Sequence, residues 1–311
     1  VCIGENKAAD SYLDFYKILS AAKVTHADAV YPGTGFLSEN AIFSKVCAEV
    51  GVHFIGAPSD TLHMLGDKIL AKQAAVRSGL PVVPASQESL PDVTACLKEA
   101  ERIGYPVLLK AVGGGGGKGI RKVSAPGEMQ SAFTACVNES RAAFGSDQIF
   151  MEKCLENVRH VEVQVLADSF GHAIHLFDRD CTMQRRHQKM IEEAVSPFLP
   201  EDLRAKIYGD AVRIVQDIRY VGAATVEFLV DREGNYYFME VNPRIQVEHP
   251  VTEMVTGLDI VKEQIRVALG KKLSLKTPER PNGHAIEVRI NAEDPDQDFM
   301  SSIGTITDLV F

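Results

Sequence analysis

The stretch Thr225 to Glu248, TVEFLVDREGNYYFMEVNPRIQVE, constrains the fold more than any other part of the chain. Thr225 to Val230 and Tyr236 to Val241 are rich in β-branched and aromatic residues, and Asp231, Glu233, Gly234 and Asn235 between them are turn formers. The pattern predicts a β-hairpin centred between Glu233 and Gly234. That register sets Glu227 opposite Glu240, and alternation along the strand puts Asn242 on the same face. Opposed carboxylates destabilise a sheet. A divalent cation resolves the conflict, and magnesium takes a few hard oxygens and fills its shell with water and substrate phosphates. Glu227, Glu240 and Asn242 are therefore candidate metal ligands, with a hairpin of two solvated glutamates as the plainer alternative. Further on, Asn242, Arg244, Gln246 and Glu248 alternate with Pro243, Ile245 and Val247. If the backbone stays extended, those four polar side chains line one wall suited to an anionic substrate.

At 311 residues the chain has room for two or three domains. A net charge of −9 argues against a general nucleic-acid binder. No apolar run approaches a membrane span, and no signal peptide is visible. The six cysteines form no CxxC pair, which argues against zinc and fits free thiols in a reducing, cytoplasmic setting. The chain begins at Val1 rather than Met and stops at Leu309-Val310-Phe311, which reads as a piece lacking both flanks.

Residues 1–67 alternate helix and strand. A helix is expected from Tyr12 to Ala22, with short strands at Ala27 to Tyr31 and Val52 to Ile55. The first strand ends in the turn Pro32-Gly33-Thr34-Gly35, and Ser38 can cap the next helix. Such repeats give a parallel sheet whose loops at the strand C-terminal ends bind ligands. Lys68 opens a helix to about Ser78, and Ser78 to Pro84 reads as a hinge or linker.

A small α/β unit follows over 84–153, with a helix at Thr94 to Ile103 and strands at Pro106 to Ala111 and Gln148 to Glu152. Between the strands runs GGGGGKGIRKV, Gly113 to Val123. Consecutive glycines are costly to order and pack nothing, but their N–H groups can approach phosphates closely. The spacing is not GxxxxGK[ST] and no helix follows directly, so this is not a P-loop. It reads as a lid over a triphosphate, with Lys153 and Leu155 as candidates to hold adenine. Strands are expected at His160 to Leu166 and Ala173 to Arg179. Arg185, Arg186, His187 and Lys189 then form the main positive cluster, either a solvated face or an anion contact. Helices at Pro200 to Gln216 and Leu258 to Leu269, and a strand carrying Glu287, Arg289 and Asn291 on one face, complete the chain.

Six motifs occur in order: GGGGGKGIR (Gly113 to Arg121), MEKCLE (Met151 to Glu156), RHVEVQVLAD (Arg159 to Asp168), RDCTMQRRHQK (Arg179 to Lys189), FMEVNPRIQVEHPVTEM (Phe238 to Met254) and GHAIEVRINAEDP (Gly283 to Pro295). Together they make the sequence resemble the biotin carboxylases of the ATP-grasp superfamily. The resemblance implies an α/β chain, α+β in its C-terminal part, with an ATP-grasp fold. It implies an incomplete N-terminal Rossmann-like domain over 1–67, a linker helix over 68–83, a glycine-rich lid over 84–153 and a truncated C-terminal domain over 154–311. It also implies ATP-dependent carboxylation of biotin by bicarbonate through carboxyphosphate, with Mg2+ or Mn2+.

By motif position, Lys68, Lys110, Gly114, Gly115, Gly116, Gly117 and Lys118 would bind phosphates, and Glu227, Glu240 and Asn242 the metal. Glu152, Lys153, Leu155, His160, Gln184 and His187 would surround the nucleotide. Lys189, Arg244, Gln246, Val247 and Glu248 would hold bicarbonate, with Glu248 as its base. Arg289 would stabilise the biotin enolate, and Gly33 would lie against biotin. The implied partners are a biotin carboxyl carrier, a carboxyltransferase and a second copy of the chain. The implied parent enzyme is an acetyl-CoA carboxylase serving fatty acid biosynthesis. Thr34 stands where relatives usually have an aromatic residue near biotin. Two alternatives remain open on the residues: another ATP-grasp ligase, which shares the loop and hairpin, and a nucleotide-binding fragment without turnover.

Overall fold

The computed structural model describes residues 1–113, 119–186, 188–273, 275–308 and 310. Helix α1 (Phe15–Val24) begins where the Asp14 carboxylate accepts the amides of Tyr16 and Lys17. Strand β1 (Ala29–Val30) leads to α2 (Ala41–Glu49) and to β2 (His53–Phe54), which pairs with β1 in parallel. Asn40, not Ser38, caps α2, accepting from the Phe43 amide at 2.8 Å. Asn40 directly precedes the first helical residue, where a cap must stand to reach the free N–H groups; Ser38 lies two residues too early. Leu37, Phe43 and Cys47 are buried against Phe15, Ile18, Leu19 and Phe54. Helix α3 (Ser59–Gly66) abuts α4 (Lys68–Arg77), which Asp67 caps through the amides of Ile69 and Leu70.

Ser78 to Pro84 is tied down rather than slack. The Phe238 amide donates to Pro81 O at 2.7 Å and the Lys153 amide to Pro84 O at 2.8 Å, while Leu80 and Val83 are buried. Beyond it come α5 (Val93–Ile103), β3 (Val107–Ala111), β4 (Ile120–Val123), α6 (Met129–Phe144) and β5 (Ile149–Lys153). The strands form an antiparallel sheet in the order β4-β3-β5. Val107, Leu109, Ala111, Ile149 and Met151 pack against Cys96, Ala100, Met129 and Cys136 of the two helices. Strand alternation therefore turns Lys110 and Glu152 to the face away from the helices.

The larger sheet contains β6 (Arg159–Ala167), β7 (Ala173–Arg185), β8 (Gln188–Ala194), β9 (Gly222–Val230), β10 (Tyr236–Asn242) and β11 (Ala285–Val288). Its order is β10-β9-β6-β7-β8-β11, antiparallel at each pairing. Helix α7 (Glu201–Asp217) covers one face, where Leu203, Ile207, Ala211 and Ile214 meet Val161, Val163, Val165, Val226 and Phe228. Each such branched or aromatic side chain contributes roughly 1.5–3 kcal/mol when fully buried. The alternate residues Glu162, Gln164, Thr225 and Glu227 face the other way and are also buried. One face of the sheet is thus apolar core and the other a buried polar surface. Helices α8 (His249–Thr256) and α9 (Ile260–Ala268) follow the hairpin. Among the described residues, no helix is long and apolar enough to cross a membrane.

The hairpin brings Glu227 opposite Glu240 as expected, but by a different route. Near the turn the register is Tyr236 with Val230 and Phe238 with Phe228. It then shifts, and Glu240 pairs with Glu227 and Asn242 with Thr225. A bulge at Met239 makes the shift, since one extra residue on one strand moves all later pairs by one. Without it Met239 would face Glu227.

Candidate active site

Four strands contribute one row of charged groups across the polar face. Glu240 on β10 stands beside Glu227 on β9, Glu227 beside Glu162 on β6, and Glu162 beside Arg179 on β7. Three adjacent carboxylates would repel strongly without cations between them. Lys68, from the start of α4, reaches Glu240 Oε2 at 2.6 Å. Lys189, from β8, bonds Glu162, and reaches Glu227 Oε1 and Glu248 Oε1 at 2.8 Å each. His160 Nε2 lies 2.9 Å from Glu227 Oε2, and Gln184 Nε2 lies 2.9 Å from His160 Nδ1. Arg179 Nε donates to Glu162 Oε1 at 2.6 Å.

These contacts set the ionisation states. Burial pushes the Glu227 and Glu248 carboxyls up, but the neighbouring cations outweigh it. Lys189 and His160 hold Glu227 well below the usual range, and Lys189 and Arg179 hold Glu248 down at about 2. Burial lowers Lys189, but Glu162 and Glu227 raise it well above its ordinary value. His160 is likewise lowered by burial and raised further by Glu227. Glu248 and Glu227 are therefore ionised at neutral pH and Lys189 carries its charge.

Residues after the hairpin reach the same place without forming an extended wall. Past Asn242 the chain bends, and α8 begins at His249. Pro243 carries no amide proton and cannot extend the ladder. Gln246 Nε2 still donates to Glu227 Oε1 at 3.1 Å, and Asn242 Nδ2 donates to the same oxygen at 2.8 Å. Arg244 turns aside to Glu39 Oε1 at 2.6 Å and donates to Asn242 Oδ1 at 3.3 Å. The Val247 side chain is exposed. From the far edge of the sheet, Arg289 bridges Glu192 Oε1 and Glu248 Oε2, both at 2.7 Å.

On the small sheet, Glu152 accepts from both Lys110 and Lys72, all three buried. Burial raises the Glu152 carboxyl, but Lys110 and Lys72 bring it to about 2. Lys153 Nζ donates to the carbonyls of Gly104 and Tyr105 at 3.0 and 2.7 Å, so its ammonium braces the unit. Leu155, partly buried, follows β5. Gly33 sits in its turn at φ +69°, a left-handed conformation that suits glycine. Gly114, Gly115, Gly116, Gly117, Lys118 and His187 lie outside the described residues.

Two of the positive cluster's three described residues pair away from this site. Arg185 pairs with Glu293 and Arg186 with Asp298. Arg186 has φ +53° in the turn between β7 and β8, and of the cluster's described residues only Lys189 joins the carboxylates. Conversely, Glu162, Arg179 and Lys72 belong to the site network although spacing did not single them out. Glu162 alternates with Val161 and Val163 along its strand, and its partners are distant in sequence.

Glu227 and Glu240 are hard oxygen donors side by side, the donor set a magnesium ion prefers. In this arrangement the Asn242 oxygen faces Arg244 rather than the two carboxylates. Lysines from α4, β3 and β8 set against carboxylates on both sheets form a setting for phosphates and a metal together.

Comparison with known proteins agrees with this chemistry. Residues 67–276 match the family model for the carbamoyl-phosphate synthase L chain, ATP binding domain, and residues 1–62 match that for the biotin carboxylase N-terminal domain. The biotin carboxylase of Nostoc sp. is 50% identical over 308 residues, covering 99% of this chain and 69% of that protein. Biotin carboxylase 2 of Bacillus subtilis is 49% identical, covering 98% of this chain and 69% of that protein. Among solved structures, the Campylobacter jejuni biotin carboxylase, described as a β,γ-ATP complex, aligns with a TM-score of 0.96 at 45% identity. It covers 99% of this chain and 69% of that one. The biotin carboxylase domain dimer of Hydrogenobacter thermophilus 2-oxoglutarate carboxylase, solved with MgADP, ADP and bicarbonate, aligns with a TM-score of 0.94 at 46% identity. It covers 97% of this chain and 67% of that one. With the ATP-binding model, the N-terminal model and near-complete coverage by these relatives in agreement, the chain belongs to the biotin carboxylase family of ATP-dependent ligases.

Proposed function

We propose that this chain carries out the ATP-dependent carboxylation of biotin by bicarbonate. The observation that carries the reading is the partly buried junction of Lys189, Glu227, Gln246, Glu248 and Arg289. It offers a fixed cation, an amide donor and an ionised carboxylate within one shell. Such a shell suits a small oxyanion that must lose a proton as it attacks.

Lys189, Arg244, Gln246 and the Val247 backbone hold bicarbonate. Glu248 is ionised at neutral pH, the form a base requires, and it gains proton affinity as Lys189 turns from it to the anion. A bicarbonate oxygen attacks the γ-phosphorus of ATP, ADP leaves, and carboxyphosphate forms. The bond between its carboxyl carbon and the phosphate oxygen breaks, the carbon bonds to the ureido nitrogen of biotin, and the departing phosphate takes the proton that this nitrogen loses. Lys68, Lys110 and the glycine run from Gly114 to Lys118 neutralise the phosphates, and Glu227 and Glu240, with Asn242 beside them, hold the Mg2+ or Mn2+ that accompanies them. Glu152, Lys153, Leu155, His160, Gln184 and His187 border the nucleotide. Arg289 stabilises the biotin enolate, and Gly33 lines the biotin side. Biotin arrives on a carrier protein or domain, a separate carboxyltransferase uses the product, and the protein works as a homodimer. Acetyl-CoA is the proposed final acceptor, on the pattern of a free-standing carboxylase subunit.

The test is fixation of labelled bicarbonate into free biotin by the chain with ATP and magnesium. Label in carboxybiotin, absent without ATP, supports the reading. Phosphate release with no label in biotin contradicts it.

A further inference from the structure

We propose that Arg179 is a positioning residue that fixes which end of the Gln246 amide faces the reacting anion. This rests on the placement of bicarbonate at Gln246 given above.

Arg179 is fully buried in the polar face of the larger sheet. It contacts no open part of the site, and all three of its nitrogens are used. Nε donates to Glu162 Oε1 at 2.6 Å. Nη1 donates to Gln164 Oε1 and Thr252 Oγ1, both at 2.9 Å. Nη2 donates to Thr225 Oγ1 at 3.2 Å and Gln246 Oε1 at 2.9 Å. Its anchors come from β6, β9, α8 and the segment between β10 and α8, so the guanidinium cannot swing without disturbing several elements at once.

A guanidinium has donors only, whereas a glutamine amide has an accepting end and a donating end. Facing Arg179, the Gln246 amide must present its oxygen. Its NH2 group is then turned to the opposite side, where it lies 3.1 Å from Glu227 Oε1. The reverse orientation would set NH2 against guanidinium and oxygen against carboxylate, two buried mismatches. Arg179 thereby makes Gln246 a dedicated hydrogen-bond donor to an anion. Lysine at this position would keep the charge and the pairing with Glu162. It would lack the planar fork that reaches Gln246 and Thr225 together.

The test compares the wild-type chain, Arg179→Lys, Gln246→Ala and the double variant by steady-state ATP hydrolysis at varied bicarbonate and varied ATP. Arg179→Lys should raise KM for bicarbonate about 10-fold, the loss expected for one charge-assisted hydrogen bond, and leave KM for ATP within about two-fold. In the Gln246→Ala background it should add no further change in KM for bicarbonate. Equal rises in both KM values, or an effect that persists undiminished without Gln246, would overturn the proposal. If Arg179→Lys does not fold, neutron diffraction from the perdeuterated wild-type protein decides the matter. Gln246 deuterons on the Glu227 side uphold the proposal and deuterons on the Arg179 side overturn it. A wild-type chain that hydrolyses ATP without bicarbonate dependence would count against the proposed function, while the neutron result would still decide the orientation of the amide.

Discussion

Glu227 and Glu240 stand directly across from each other on β9 and β10, yet each is neutralised by a different lysine. Lys189 serves Glu227 from within the same sheet, and Lys68 serves Glu240 from the first turn of α4. The pair therefore joins two separately anchored cations at the place where phosphates and their metal are proposed to sit. Replacing Glu227 with Gln removes a proposed metal ligand and the partner of both His160 and Lys189. ATP hydrolysis should fall about 100-fold, in the range seen when one preorganised electrostatic contact is lost. Titration with magnesium should show a weakened metal dependence; an unchanged one would contradict the assignment.

Lys189 neutralises three buried carboxylates, Glu162, Glu227 and Glu248. Lys189→Met should therefore destabilise the chain at pH 7 by about 3–5 kcal/mol, the cost of leaving buried charge unpaired. Without Lys189, the cation that lowers Glu227 and Glu248 most, burial pushes those two carboxyls upward. The variant's stability should then increase as pH falls from 7 toward 5 and those groups take up protons, a gain that the wild-type carboxylates, ionised throughout that range, do not supply. Urea unfolding at both pH values reads the two slopes.

In the wild type, Glu152 and Glu248 are both held at about 2, below their ordinary value of 4.5. A depressed carboxyl contributes stability that is fully present above its unfolded pKa and lost as pH falls through the folded one. Stability should thus decline between about pH 4.5 and 2. Glu152→Gln should remove part of that slope and raise KM for ATP, because Lys110 loses its anchor. His160 moves the other way. Its folded pKa lies above 6.5, so its contribution is complete below that pH and is lost as pH rises through the raised value. His160→Gln should flatten the alkaline side of the urea-midpoint profile.

Arg185 and Arg186 provide the contrasting case. Their partners Glu293 and Asp298 lie outside the carboxylate junction. The Arg186 pair is exposed, and exposed pairs contribute little. Arg186→Ala should leave bicarbonate-dependent ATP hydrolysis within about two-fold of wild type, and a large loss would place the turn in the reaction after all.

The hairpin was legible because period-two alternation and a cluster of turn formers are local signals, and they set Glu227 against Glu240. The bulge at Met239 was not, since no single residue announces an extra step, and two offsets cancelled to leave the expected pair. The polar alternation from Asn242 to Glu248 suggested an extended wall. The chain bends instead over residues 243–248 before helix α8 starts at His249, so Gln246 and Glu248 arrive by tertiary folding. Arg179, Glu162 and Lys72 stayed out of view for one reason: each gains its role from partners on other strands or helices. Arg179 looked like the last residue of an ordinary strand, and Lys72 like one more lysine on a helix. The asymmetry between Lys189 and its basic neighbours likewise depends on which residues the turn at Arg186 throws outward.

The most direct measurement is phosphate release from MgATP by this chain in the presence of free biotin, with and without bicarbonate, for wild type and Glu248→Ala. The expected result is release that depends on bicarbonate and is abolished by the substitution, because Glu248 accepts the proton as bicarbonate attacks. Release that is indifferent to bicarbonate, or that survives unchanged in Glu248→Ala, would contradict the assignment of the junction at Lys189 and Glu248.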